Sequence, residues 1–234
     1  VDELLRQVKP TLAFIATPAS THLDILGRIK NAHPLGAVLM QKPISDRALT
    51  PEEISWCRDL KGLNAIGYCW RLHPFAKHLW SIRDGIRNIT LQVEQDMTQW
   101  PGIKYCDPIR EFSHEVDLVQ YLTSGAKLTR AQFETKDDVT LMEYKLEGEH
   151  QLGKWTVSIL PFHAMRARWV RVEMTDGAVV CKHWAQEPEL IETMYRDQAK
   201  EFMDAFLHKE TPDYLTCPLG DALATTALVD EAER

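Results

Sequence analysis

TLAFIATPASTHLDILGRIKNAHPLGAVLMQKP, residues Thr11 to Pro43, is the stretch that decides the fold. Its two apolar runs, Leu12 to Ala16 and Ala37 to Met40, are continuous rather than alternating. That is the pattern of strands covered on both faces. Between them Leu23, Leu26 and Ile29 recur at helical spacing, with Thr21 as the expected cap and Asp24 in the first turn. Strand, helix and strand at this spacing form a βαβ unit, the building block of a parallel sheet. Both strands end in polar residues plus proline, Thr17-Pro18 and Gln41-Lys42-Pro43. Ligands of open parallel sheets bind beyond the carboxyl ends of the strands. Thr17, Pro18, Gln41 and Lys42 are therefore expected to face one crevice.

Working outward, Asp2 to Val8 reads as a short helix feeding the first strand. Thr50-Pro51-Glu52-Glu53 is a strong helix start, with threonine as cap, proline at the first position and acid in the first turn. That helix is expected to run to about Leu60 and stop at Gly62. Asn64 to Trp70 is a third strand, followed by Arg71-Leu72-His73-Pro74. Near Arg71 the character of the chain changes. Asn88 to Met97 alternates apolar and polar residues, as do Lys127–Thr135, Val139–Glu147, Lys154–Leu160, Arg168–Met174 and Ala178–Trp184. Lys136-Asp137-Asp138, Glu147-Gly148-Glu149 and Thr175-Asp176-Gly177 read as hairpin turns, and Gln99 to Pro108 as a loop. Helices are expected at Pro74–Arg83, Arg110–Leu122, Leu190–His208 and Pro218–Glu233. The reading is α/β with an α+β second part. A parallel sheet over residues 1–71 precedes a mostly antiparallel, open-faced sheet over 72–234, with helices on one face.

Composition narrows the function. The 234 residues carry a formal net charge of −7, which argues against a nucleic-acid partner. With 44% hydrophobic residues the chain can build full cores. Its apolar runs are too short to span a bilayer, and no secretory leader opens it. Cys57, Cys69, Cys106, Cys181 and Cys217 are scattered, with no CxxC, which reads as reduced thiols in a cytoplasmic protein. No metal site is expected; Cys181-Lys182-His183 is most simply one strand.

Five segments carry a resemblance. ATPASTH, VLMQKPIS, IGYCWRLHP, FSHEVDLVQYLTSG, and MYRDQAKEFMDAF with PLGDALATTALVDEA stand in this order along the chain. They resemble the A-T-P-x-x-x-H, E-K-P, G-Y-x-x-R-x-x-P, S-H-E-I-D-x-x-x-x-L-x-G and closing-helix segments of the glucose-fructose oxidoreductase / inositol dehydrogenase / rhizopine-catabolism (Gfo/Idh/MocA) family. The resemblance implies a Rossmann-like first part and an oxidoreductase moving hydride between a sugar or sugar-derivative carbon and NAD or NADP. It also implies a homodimer or higher even oligomer through the second sheet. Lys42 matches the lysine of E-K-P, which can bond the substrate hydroxyl and stabilise its developing charge. His114 matches the histidine acid/base. Thr17, Pro18, His22, Gln41, Lys42, Pro43 and Arg71 match the cofactor side. Lys42, Arg110 and Asp117 fall on the substrate side; Asp117, one turn from His114, either orients it or only packs.

The match breaks in three places. No two glycines stand one residue apart, so the GxGxxG turn that cradles a pyrophosphate is absent, together with the family's opening strand, helix and strand. Glutamine 41 replaces the glutamate of E-K-P. YCDPIREF, with Arg110, replaces the segment that precedes the histidine. The sequence is then either a fragment of a longer enzyme or a natural short form, a non-catalytic binding or assembly module being the alternative function. On the first sheet's successor, Trp155, Val157 and Ile159, and Trp169 or Val170 with Val172, are expected to form apolar rows on the uncovered face, a partner surface.

Overall fold

A computed structural model describes residues 1–8, 10–95, 110, 113–123, 125–136, 141–161, 167–185, 188–208 and 217–233. The elements are α1 (Asp2–Val8), β1 (Leu12–Ile15), α2 (His22–Ala32), β2 (Ala37–Met40), α3 (Pro51–Asp59), β3 (Asn64–Ile66), α4 (Pro74–Ser81) and β4 (Ile86–Gln95). They continue with α5 (Ser113–Thr123), β5 (Lys127–Lys136), β6 (Leu141–His150), β7 (Gly153–Pro161), β8 (Ala167–Met174), β9 (Val179–Ala185), α6 (Pro188–His208), β10 (Cys217–Pro218) and α7 (Leu219–Ala232). The expected loop 99–108, the turn residues Asp137-Asp138 and Cys106 lie outside the described residues.

The first sheet has the order β1-β2-β3-β10, with β1, β2 and β3 parallel and β10 antiparallel to β3. All four residues of β2 are buried because both faces are covered. Val38, Met40 and Ile66 pack with Leu26 and Ile29 of α2 and Cys57 of α3. Ala37, Leu39 and Ala65 pack against Phe202 of α6. Thr50 caps α3 as expected, and with Glu53 it forms a capping box. Thr21 does not cap α2; its hydroxyl lies 2.8 Å from Thr17 Oγ1 and 2.8 Å from Pro18 O, inside a short 3-10 turn that precedes the helix. The third strand is shorter than its apolar run, since Gly67 and Tyr68 leave it for a 3-10 turn at Cys69–Leu72.

The second sheet has the order β5-β6-β7-β4-β8-β9; β4 and β7 run parallel and every other pair is antiparallel. Here one expectation is overturned. Trp155, Val157, Ile159, Val170 and Val172 are all buried within the chain, in one core with Val116 and Val119 of α5, Leu79 of α4 and Val229 of α7. The apolar rows are the helix-covered face. The opposite face carries half-exposed Thr90, Gln92, Lys145, Glu147, Thr156 and Ser158, and Lys145 bonds Glu147 at 2.7 Å. The rows therefore offer no partner surface.

Gly148 is a second correction. β6 runs through it to His150, and the turn is Gln151-Leu152. Gly148 stands opposite Trp155, and a Cβ there would meet Lys127 O at 2.1 Å and the indole at 2.2 Å. Glycine is required by the indole lying over the backbone, not by a turn. Gly148→Ala should cost about 3 kcal/mol or more, overpacking of a closed core. Gly220→Ala, where a Cβ meets nothing within 4 Å, should be neutral or stabilising. Urea midpoints of the two variants check this; equal values would contradict it.

Candidate functional site

The carboxyl ends of β1, β2 and β3 are tied to one another. Gln41 N donates to Ile15 O at 2.8 Å, and Gly67 N donates to Met40 O at 2.7 Å. His22, 1% exposed, places its Nδ1 2.8 Å from Pro43 O and its Nε2 2.8 Å from Thr17 O. It is a latch between two strand ends. Lys42-Pro43 is a cis peptide. The side chain of Gln41 crosses the end of β3 where Gly67 has no side chain, since a Cβ there would lie 2.8 Å from Gln41 Oε1. Thr17 and Pro18 are exposed, Gln41 and Lys42 half-buried, Pro43 buried.

His114 reaches the same end from the second part of the chain. It sits in the first turn of α5, with its ring edge-on to Tyr68 at 5.6 Å and 80°. The Tyr68 hydroxyl donates to Ser113 Oγ at 3.3 Å. Lys42 acts on the neighbouring residue, Cys69. Burial pushes the Cys69 thiol up to about 11, and the charges of Arg168 and Lys42 pull against that push. His114 thus packs on Tyr68, and the Lys42 charge acts on the next residue, Cys69, just beyond the end of β3.

Arg71 and Asp117 are brought together with each other. Arg71 Nε and Nη2 donate to the two carboxylate oxygens of Asp117 at 2.8 and 2.7 Å, and both side chains are 1% exposed. Arg71 Nη1 reaches Asp221 at 3.1 Å, and its guanidinium lies 4.7 Å over the Tyr121 ring. Burial works against the Arg71 charge, but Asp117, Cys217 and Asp221 outweigh it and hold the guanidinium well above its ordinary pKa. Thr225 also donates to Asp117, at 3.2 Å. Arg110, 2% exposed, pairs with Asp230 at 2.7 Å and with Glu233, far along α7. Neither arginine bonds Lys42 or His114 in this arrangement.

Three residues at the site were not singled out from sequence. Glu115 pairs with Arg168 Nε at 2.9 Å, and Arg168 lies 3.7 Å over the Trp70 ring. The available signal was parity: Arg168 shares a strand face with Val170 and Val172, where a charge is unexpected. His73 stacks on Trp70 at 5.6 Å, and its Nδ1 accepts the Phe75 N–H at 3.0 Å, capping α4. Burial, with Lys182 and Arg168 nearby, lowers its pKa to about 4.

That shift has a consequence for stability. In the unfolded chain the imidazole protonates near 6.5. Between about 6.5 and 4 the unfolded state therefore binds more protons, so stability is complete above pH 6.5 and is lost as pH falls toward 4. The loss should be on the order of 2 kcal/mol after allowance for solvent screening. His73→Asn keeps a cap and removes the titration. Urea unfolding at pH 7 and 4.5 should show a smaller acid loss in the variant; equal losses would exclude His73 as its source.

Among the described residues no group of three His, Cys, Asp or Glu side chains is placed to hold a metal, and no helix is long and apolar enough to cross a membrane.

No family model and no curated protein sequence matches the chain. Solved structures do. A dehydrogenase from Chromobacterium violaceum superposes with a TM-score of 0.74 at 13% identity, over 99% of this chain and 78% of that one. Scyllo-inositol dehydrogenase from Lactobacillus casei, solved with NAD(H) and scyllo-inositol, gives 0.74 at 14%, over 99% and 80%. UDP-N-acetylglucosamine 3-dehydrogenase from Acidithiobacillus ferrooxidans gives 0.66 at 18%, over 100% and 82%. By architecture, the chain shares the fold of these dehydrogenases, a Rossmann-like parallel sheet followed by a mixed, mostly antiparallel sheet with helices on one face.

Proposed function

We propose that the chain is the nicotinamide-side and substrate-binding part of an NAD(P)-dependent oxidoreductase acting on a hydroxyl carbon of a sugar or sugar derivative. The observation that carries this is His114, from the second part of the chain, packed on Tyr68 at 5.6 Å beside Cys69, on which the Lys42 charge acts. Residues 1–71 supply the strand ends, and 72–234 supply the histidine.

The strand ends fit the nicotinamide side of a dinucleotide: exposed Thr17 and Pro18 beside half-buried Gln41 and Lys42. The diphosphate side is different, for no glycine-rich turn exists in the sequence to bring backbone N–H groups onto a pyrophosphate. A bound nicotinamide would supply the hydride acceptor. The Lys42 ammonium bonds the substrate hydroxyl oxygen and stabilises the negative charge that grows on it. His114 takes the hydroxyl proton, and Tyr68, packed on its ring, sets the direction in which it does so. The Arg71–Asp117 pair holds the turn after β3 against α5, so that Tyr68 and His114 meet.

Turnover of a panel of sugars and inositols at several-millimolar NAD or NADP tests this. Lys42→Met and His114→Phe should each lower the rate roughly 100-fold or more with the circular dichroism unchanged. A rate indifferent to both would overturn the assignment. Gln41 and the missing glycine turn favour one rival, a binding module without catalysis, which requires no turnover from any substrate.

A further inference from the structure

Arg168 holds two nitrogens that nothing among the described residues bonds. The residue is 4% exposed, and its Nε is committed to Glu115. Its terminal amino groups Nη1 and Nη2 are enclosed and meet no acceptor. Glu115 Oε2 and Gln198 Nε2 are likewise enclosed without a partner. A guanidinium cannot shed its proton in a protein. Its buried N–H groups therefore carry an uncompensated desolvation cost until oxygen acceptors arrive.

The surroundings define which acceptors. The Trp70 ring, 3.7 Å beneath the guanidinium, fixes its plane and covers one of its faces. The charges of Lys182 and Lys42 act with that of Arg168 on His73 and Cys69, while the Glu115 carboxylate offsets the guanidinium on its Nε side. Glu115 follows His114 on α5, so the arginine is tied to the same helical turn as the proposed proton acceptor. A planar fork with two unbonded terminal NH₂ groups is matched by a group with two oxygens and a negative charge.

We propose that Arg168 receives an anionic group of the substrate, a carboxylate or a phosphate on the sugar, through two charge-assisted hydrogen bonds. The substrate class is then an acidic sugar. Both nitrogens are covered in the unliganded chain, so the cover opens to admit the anion. The proposal rests on the hydride-transfer reading only for where the rest of the sugar lies; the anion contact stands without it.

Calorimetric titration of the whole chain, with no dinucleotide present, tests this with four probes: glucuronate, glucose 6-phosphate, glucose and inorganic phosphate. One of the two acidic sugars should bind at least 10-fold more tightly than glucose and more tightly than inorganic phosphate, and which one it is separates carboxylate from phosphate. Arg168→Gln should bring the ratio to glucose close to one. Arg168→Lys keeps the charge but loses the fork; it should cut the preference without unfolding the chain, and it decides the matter where Arg168→Gln does not fold. Equal affinity for acidic and neutral sugars would overturn the proposal, as expected of an arginine that serves Glu115 alone. Inorganic phosphate binding as tightly as the sugars would also overturn it, leaving general anion attraction. A preference that survives Arg168→Gln would do the same. A retained preference without turnover leaves this contact standing while the oxidoreductase reading fails.

Discussion

Asp117→Ala should destabilise the chain by about 3–5 kcal/mol, a large share of the roughly 5–15 kcal/mol that holds a domain folded. The reason lies in what the substitution leaves behind. Arg71 is 1% exposed, and both of its bonds to Asp117 are made inside the protein. Removing the carboxylate strands a guanidinium that cannot neutralise itself, and Asp221, 54% exposed, is a weak replacement. Removing both charges is a different matter. Arg71→Met with Asp117→Leu fills similar volume with apolar atoms, so the double variant should recover most of the loss. Thr225, which also donates to Asp117, keeps that recovery incomplete. Urea denaturation of the three proteins checks it. A loss under about 1 kcal/mol for Asp117→Ala, or a double variant no better than the single, would refute the role given to this pair.

The pair also shows where the sequence could be read and where it could not. Arg71 and Asp117 were both singled out, each from its own motif, with roles toward cofactor and substrate. Nothing in either motif pairs them, because they stand 46 residues apart and meet only through the packing of α5 on the 3-10 turn. The βαβ unit was legible because its evidence is local: continuous apolar runs, helical spacing between them, and prolines at both strand ends. The Thr50 cap was legible for the same reason. Gly148 misled because glycine is a turn signal in a sequence, while here it answers to an indole on the next strand. Strand parity put Trp155, Val157 and Ile159 on one face correctly, but parity cannot say which face the helices choose. Arg168 was hidden by the same limit. Its meaning depends on Glu115, and on a tryptophan from the other part of the chain.

The chain should bind NADH and NADPH weakly, with no saturable heat below about 1 mM, against the micromolar constant of a complete dinucleotide site; that gap is about 4 kcal/mol. Much of a dinucleotide's affinity comes from its diphosphate, which rests on backbone N–H groups at a glycine-rich turn and helix N-terminus. The sequence has no glycine pair with that spacing. The turn after β1 is no substitute, for it is built from Thr17, Pro18, Ala19 and Ser20, and the helix behind it opens on His22, already spent on Thr17 and Pro43. The sheet tells the same story at its edge. β1 is the outermost strand of its order, with Phe14 half in solvent, and its outer edge pairs with no described strand. The reacting end proposed above, with His114 packed on Tyr68 and the Lys42 charge acting on Cys69, does not draw on a dinucleotide's adenosine half. Nicotinamide mononucleotide, which lacks the adenosine half, should therefore bind almost as well as the full dinucleotide, within a factor of about 10. Calorimetry with all three nucleotides decides this. A micromolar constant for NADH or NADPH, with mononucleotide far weaker, would show that the diphosphate finds its donors in these 234 residues after all and that the glycine turn is dispensable.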